Sequence, residues 1–395
     1  MRAHLVTCLI FILLLAVPAT SESKSFQSGR RCSDSNNDTV RLLVPAFEGP
    51  DALGLNVSTI LLLEIFNTLD MSQSSDMKRR SFGHGETVWS PLPLRDLSHT
   101  GAADMAAHED TACPKQLVLW GRALLYADGV VVQSYLTLPL IDDPRIPRNE
   151  VWTLRIKFKT DPIDLSLDIP SRRYAFEPII LDADVVRRYS DPASLKIYKD
   201  QSLKQQIGTT GPEILASRRG AGGTWLSKPA AGWLPLPQLS QNTSEVVGFT
   251  GALIRVFRGD WLGAQDLLKT VLSNSTTPNA IKTDAFIYMG MTEEKLRRSG
   301  VEYFERALQT NSLSEKAIAG LVMSNLSSYT RSSTASPDSA RANSSSQAIL
   351  LRTKDLLDKN KLLFEPDDPW FRGAIRACDR LIAGESVEPP TAATE

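Results

Sequence analysis

Residues 117–138 read LVLWGRALLYADGVVVQSYLTL, and their pattern decides the class of the amino-terminal half. Gln116–Leu125 and Val130–Leu138 are strand-like runs around Tyr126-Ala127-Asp128-Gly129, and the Asp-Gly pair suits a tight hairpin because glycine tolerates positive φ. Upstream, Arg41-Leu42-Leu43-Val44-Pro45-Ala46-Phe47 is a short apolar run ended by Glu48-Gly49-Pro50, and a helix-length segment extends from Asp51 to Leu69. Asp51 is the expected N-cap, and strand followed by helix predicts an α/β unit. Downstream, residues 152–159 alternate apolar with polar side chains, so one face should be buried and the other wet.

The chain opens Met1-Arg2-Ala3-His4, followed by the apolar run Leu5–Val17 and by Pro18-Ala19-Thr20-Ser21. A cationic start, an apolar core and small residues after it read as a cleavable secretory signal over residues 1–21, cut after Ala19 or Ser21. The core is shorter than the ~20 residues a membrane span needs. Residues 53–69 are apolar but carry Asn56, Ser58, Thr59, Glu64 and Asn67, which are costly in lipid and predict a buried helix. No stable transmembrane segment is expected after cleavage, and the expected location is periplasmic or secreted.

A net charge of -1 and a pI near 6.5 argue against nucleic acid as a partner, since phosphate binding relies on concentrated Lys and Arg. Of the four cysteines, Cys8 lies in the signal. Cys32 and Cys113 flank the first module and are the expected disulfide in an oxidising compartment, with Cys378 left free. His84, His99 and His108, with Asp104, Glu109 and Asp110, match no zinc spacing, and their flanks Gly83, Gly85 and Thr100-Gly101 look like loop. They are read as surface histidines, and no metal or cofactor is expected. There is no Gly-x-Ser-x-Gly elbow for a serine nucleophile.

The stretch VPAFEGPDALG with its following helix, together with the 117–138 hairpin, resembles the α/β amino-terminal domain of the translocation protein TolB and the related curli-secretion lipoproteins. In those families a strand ending near "PF" leads into a helix, and a hairpin of the form GxxxxxxDGVxVxxxL completes the sheet. The resemblance implies a non-catalytic assembly or docking domain over residues 39–185.

Residues 190–240 hold short apolar runs separated by Gly and Pro, the pattern of a small barrel. Ile207-Gly208, GGTW ending at Trp225 and AGWLPLPQL starting at Ala231 resemble, in order, the bacterial Src-homology-3-type domain. Trp225 and Trp233 read first as packing residues, because buried aromatics contribute large apolar areas. The resemblance makes Trp233 a candidate ligand-facing residue, since such domains often bind peptides or cell-wall stems.

From about 244 to 385 the chain reads as helix pairs. Val246–Phe257 and Leu262–Leu272 join at Gly259-Asp260-Trp261, and Ala264, Leu268 and Val271 share one face. Gly300, Phe304 and Ala307 repeat that pattern 36 residues later, near the ~34-residue period of tetratricopeptide repeats, which these helices resemble. A third pair is expected at 314–326 and 348–364, with Ser327–Ser346 as a loop rich in Ser, Thr, Asn and Ala, and a last helix after Glu365-Pro366-Asp367-Asp368-Pro369. The tail from Glu385, and residues 386–395 in particular, is expected to be disordered.

Three modules without a catalytic motif lead to one expectation: a multidomain α+β chain acting as a non-catalytic exported adaptor of the bacterial cell envelope. Its partners would be proteins, with peptidoglycan a second candidate, bound through the barrel and the helical repeats. The alternative is an exported hydrolase with a site between the first module and the barrel.

Overall fold

The computed structural model of the protein describes residues 26–28, 40–70, 85–90, 93–109, 115–127, 129–139, 150–187, 196–200, 202, 204–209, 215–220, 223–228, 232–235, 243–335 and 340–387. Residues 1–21, where a signal is expected, Cys32, Cys113 and His84 lie outside them. Within them the chain is a mixed α/β protein.

The amino-terminal half is built on a seven-stranded sheet. Its strands are β1 (Phe26–Ser28), β2 (Val40–Pro45), β3 (Gly85–Ser90), β4 (Lys115–Tyr126), β5 (Gly129–Thr137), β8 (Arg173–Ala175) and β9 (Ile179–Asp182), in the order β1-β3-β2-β4-β5-β8. Strand β9 pairs with the start of β5 and β8 with its end. β2 runs parallel to β3 and β4, as the α/β reading requires. The β4–β5 hairpin pairs Val118 with Thr137 at one end and Tyr126 with Gly129 at the other. Positive φ falls on Ala127 (φ 49) rather than on Gly129, so the glycine serves a different need. A Cβ on Gly129 would lie 2.9 Å from Cγ2 of Ile180.

Helix α1 (Leu53–Asp70) packs on one face of this sheet. Ile60, Leu61, Leu62 and Ile65 join Leu117, Leu119, Val130 and Val132 in the main core. The helix starts two residues after Asp51, and Ala52 O accepts its first hydrogen bond from Asn56 N at 2.9 Å. Asp51 therefore sits before the capping position, in the left-handed region (φ 48). On the other face lies α2 (His99–Glu109), whose Ala102 and Ala106 pack on Leu43, Val118 and Trp120. Thr100-Gly101 is thus helix rather than loop. The close pass of Asp96 O, 2.1 Å from where a Cβ would stand, explains why position 101 is glycine.

Strands β6 (Glu150–Lys157) and β7 (Pro162–Asp168) form a separate antiparallel hairpin, burying Trp152, Ile156, Phe158, Ile163 and Leu165 as the alternation predicts. The short helix α3 (Ala183–Arg187) follows β9. Five strands, β10 (Lys196–Tyr198), β11 (Gln206–Thr209), β12 (Leu215–Gly220), β13 (Gly223–Lys228) and β14 (Gly232–Pro235), make an antiparallel sheet ordered β11-β10-β14-β13-β12.

The carboxy-terminal half is helical: α4 (Thr243–Phe257), α5 (Trp261–Ser273), α6 (Asn279–Lys295), α7 (Val301–Thr310), α8 (Glu315–Ala335), α9 (Ala340–Lys359) and α10 (Pro369–Ile382), each packed on the next. Asp260 caps α5, its Oδ1 accepting from Gly263 N at 3.2 Å, while Gly259 (φ 72) makes the turn before it. Ala264, Leu268, Val271, Phe304 and Ala307, the residues of the 36-residue pattern, are all fully buried.

Two expectations fail here. Residues 327–335 and 340–346 are helical, because Ser327 Oγ and Arg331 Nη2 turn inward to Oε2 of the buried Glu294, at 3.3 and 3.2 Å. The chain is also anchored past Glu385, which accepts from Arg380, and Val387 bridges to Phe158. One continuous core runs from Val40 to Leu381, so the sheet half and the helical half are packed directly on each other.

Candidate functional site

The hairpin β4–β5 outruns its neighbours. β2 pairs with β4 only over Lys115–Val118, so from Gly121 onward β4 has β5 on one side and only the single bridge Glu48↔Arg122 on the other. Paired residues share a sheet face, so Leu124, Val131 and Ile180 stand on the face that α2 covers further along. Beyond α2 that face is open. Leu124 is 59% exposed, Tyr126 75% and Ile180 66%, while Leu125, 52% exposed, is turned to the opposite face of the same strand. Large apolar side chains exposed together at one end of a sheet face mark a candidate interaction site, whereas single scattered ones are ordinary surface. A salt bridge between Arg122 Nε and Glu48 Oε2 at 2.7 Å borders it.

Where α2 meets the open face lies an aromatic corner. His99 Nδ1 is 2.7 Å from Thr137 Oγ1, which also accepts from Trp120 Nε1 at 2.9 Å. The imidazole stands edge-on to Trp120 (5.4 Å) and Tyr135 (6.1 Å), which stack on each other at 4.6 Å. Burial, helped by the Arg173 charge, lowers the His99 pKa. His99 is therefore half-buried and structural, not a surface histidine. As a nucleophile–base pair the site is poor: Thr137 is 3% exposed and its oxygen already accepts from indole.

The two acids most displaced from their ordinary protonation lie on the opposite face. Burial raises Glu245 to about 7 and Asp284 to about 7; Glu245 lies beside Glu177 and the half-buried Asp284 beside Tyr174 of β8. Cys378 is buried and free, its thiol pushed up to about 12 by burial and by Asp379.

Trp233 is 8% exposed and paired with Tyr198 on one side and Trp225 on the other. A Cβ on the adjacent Gly232 would sit 2.3 Å from Ile197 Cγ2, which shows how tightly this strand is packed. The expected Cys32–Cys113 bridge lies outside the described residues, as does the side chain of His108. Among the described residues no three His, Cys, Asp or Glu side chains converge as metal ligands, and no helix is long and apolar enough to cross a membrane. The exposed patch escaped sequence reading, although residues 124–126 break the alternation of the strand and could have signalled it.

The sequence matches no protein-family model and no curated protein, and the fold matches no solved structure.

Proposed function

We propose that this chain is a non-catalytic exported adaptor of the bacterial cell envelope that docks a protein partner on the open end of the β4–β5–β9 face. The observation that carries the reading is the trio Leu124, Tyr126 and Ile180 on one sheet face, each more than half exposed. An apolar surface of that kind suits a protein better than the polar sugar–peptide mesh of peptidoglycan. The secretion signal supports export. Five short antiparallel strands, open between β11 and β12 among the described residues, fit the Src-homology-3-type reading of residues 190–240 in strand number but not in closure, and the succession of packed helix pairs supports the tetratricopeptide-like reading of 244–385. In this reading both brace the docking sheet and offer further surfaces.

Photo-crosslinking in intact cells tests it, with the photoreactive residue at Tyr126 or, as control, at the exposed Lys269. A discrete protein adduct at 126 alone, lost when Leu124→Ser and Ile180→Ser are added to a folded chain, is the expected result. Equal adducts at both positions, sedimentation with purified peptidoglycan that ignores those substitutions, or hydrolysis of ester or peptide substrates abolished by Thr137→Val would each overturn it.

A further inference from the structure

Phe249 of α4 meets Tyr174 of β8 edge-on at 4.8 Å, Phe176 at 6.2 Å and Tyr288 of α6 at 6.3 Å. These four rings are the joint between the sheet half and the helical half. One helical turn before each helix-borne ring stands an acid, Glu245 before Phe249 and Asp284 before Tyr288, so that i,i+4 spacing turns both carboxyls toward the same seam. Glu245 is 2% exposed. It accepts from the Glu177 main-chain N–H, while its Oε1 has no partner. Asp284 meets the Tyr174 hydroxyl, which donates its own proton to Ser171 O at 3.0 Å. The single Tyr174 proton thus stands between two acceptors, Ser171 O and the Asp284 carboxyl, and burial is what keeps Asp284 neutral against the pull of that hydroxyl.

We propose that this seam is a proton-held joint: Glu245 and Asp284 keep the two halves closed in their neutral forms and loosen them when they ionise. The charges facing them favour this. The Glu177 carboxylate repels an ionised Glu245, with Lys282 of α6 the opposing cation. Around Asp284 stand Tyr174, Tyr288 and, beside Tyr288, Arg172, whose buried Nη1 has no hydrogen-bond partner. An ionised Asp284 would draw the Tyr174 proton away from the half-buried Ser171 O and so break the hydrogen bond that ties β8 back to Ser171. Both acids have folded-state pKa values raised above those of the unfolded chain, so their contribution is complete below about pH 4 and disappears as pH climbs through about 7. A chain exported to a compartment open to the medium would meet that range. His99 acts in the opposite direction on the other sheet face, so the readout must be local.

Hydrogen exchange of the whole mature chain at pH 5.5 and 8.5, corrected for intrinsic rates, gives that readout. Peptides covering 171–178, 243–257 and 279–288 should lose protection by about tenfold or more at the higher pH, one pKa unit being a factor of ten, while 301–326 holds. Glu245→Gln with Asp284→Asn should flatten the dependence. Glu177→Gln, at an exposed position that leaves folding intact, removes a charge that holds the Glu245 pKa up and should move the loosening to lower pH. Protection at the seam that does not change with pH, or that changes identically in the double variant and in Glu177→Gln, overturns the proposal.

Discussion

Arg255 of α4 donates through Nη2 to the main-chain carbonyl of Leu69 at 2.6 Å, joining residues 186 positions apart, while its Nη1 reaches Asp260 Oδ2 at 2.5 Å. The guanidinium is 2% exposed and ties the end of α1 to the turn between α4 and α5. Removing one partner of a buried, hydrogen-bonded charge leaves the others unpaired. Arg255→Met should therefore cost about 3–5 kcal/mol, and Arg255→Lys should recover only part of it because an ammonium cannot span both acceptors. Gly263→Ala should mimic the defect, since a Cβ there would fall 2.0 Å from Nη1. Denaturant melts of the three variants check this; a melt of Arg255→Met that matches the parent chain would refute the bridge.

The Phe304 ring lies among three glycines. Added Cβ atoms would come within 2.7 Å of it from Gly290, 3.0 Å from Gly300 and 2.2 Å from Gly320, and the ring also stacks on Trp152 of the β6–β7 hairpin at 6.1 Å. Overpacking here has no slack to absorb, so Gly320→Ala should destabilise by about 1–3 kcal/mol and Phe304→Ala by about 3–5 kcal/mol. The smaller Phe304→Leu should partly rescue Gly320→Ala, giving a coupling energy in a double-mutant cycle. Strictly additive losses would mean the ring and the glycine do not compete for space.

Elements whose stabilising contacts are local were legible in the sequence, and those held by distant partners were not. The 117–138 hairpin and α1 carry their own period, and Asp260 caps α5 within three residues. Strand β3 is short and paired in parallel with β2, 45 positions away, so no turn chemistry announces it. Residues 327–335 hid behind their serines because Glu294, the group that fixes them, comes from another helix, whereas α2 had a local signal that Thr100-Gly101 masked: Ser98 Oγ accepts from Gly101 N at 3.0 Å. The joint acids were equally silent: their one-turn spacing from Phe249 and Tyr288 is visible, but Tyr174, which meets Phe249 and Asp284, arrives from β8 and Glu177, which meets Glu245, from the stretch after it.

Glu294, 7% exposed, gathers the helices around one carboxylate. Its Oε1 accepts from Gly300 N at 2.9 Å and from Ser324 Oγ, and its Oε2 from Ser327 Oγ and Arg331 Nη2. Replacing it by Leu strands the buried donors, at about 1–3 kcal/mol for each buried group left unsatisfied, and frees the end of α8. Ser327→Ala should cost about 1 kcal/mol and leave the helix in place. Circular dichroism and exchange over 327–335 distinguish the two; full protection of that segment in Glu294→Leu would show that α8 holds its length without the carboxylate.

The β6–β7 hairpin is strapped down by Arg380 of α10. Its Nη1 donates to Asp161 Oδ1 at 2.6 Å, its Nη2 to Thr160 Oγ1 at 2.5 Å and its Nε to Glu385 Oε2 at 2.6 Å, while the guanidinium lies 3.8 Å over the Phe158 ring. Only a planar fork can make three divergent hydrogen bonds and stack at once, so Lys is not an equivalent substitute. Arg380→Lys should loosen the hairpin tip and let trypsin cut after Lys157 or Lys159 several-fold faster, with the cleavage rates within α4–α7 unchanged. Truncation after Ala383, which removes Glu385 and the Val387 bridge to Phe158, should have a similar effect. If trypsin cuts the tip at the parental rate in both variants, the strap carries no strain and the hairpin is held by Trp152, Ile163 and Leu165 alone.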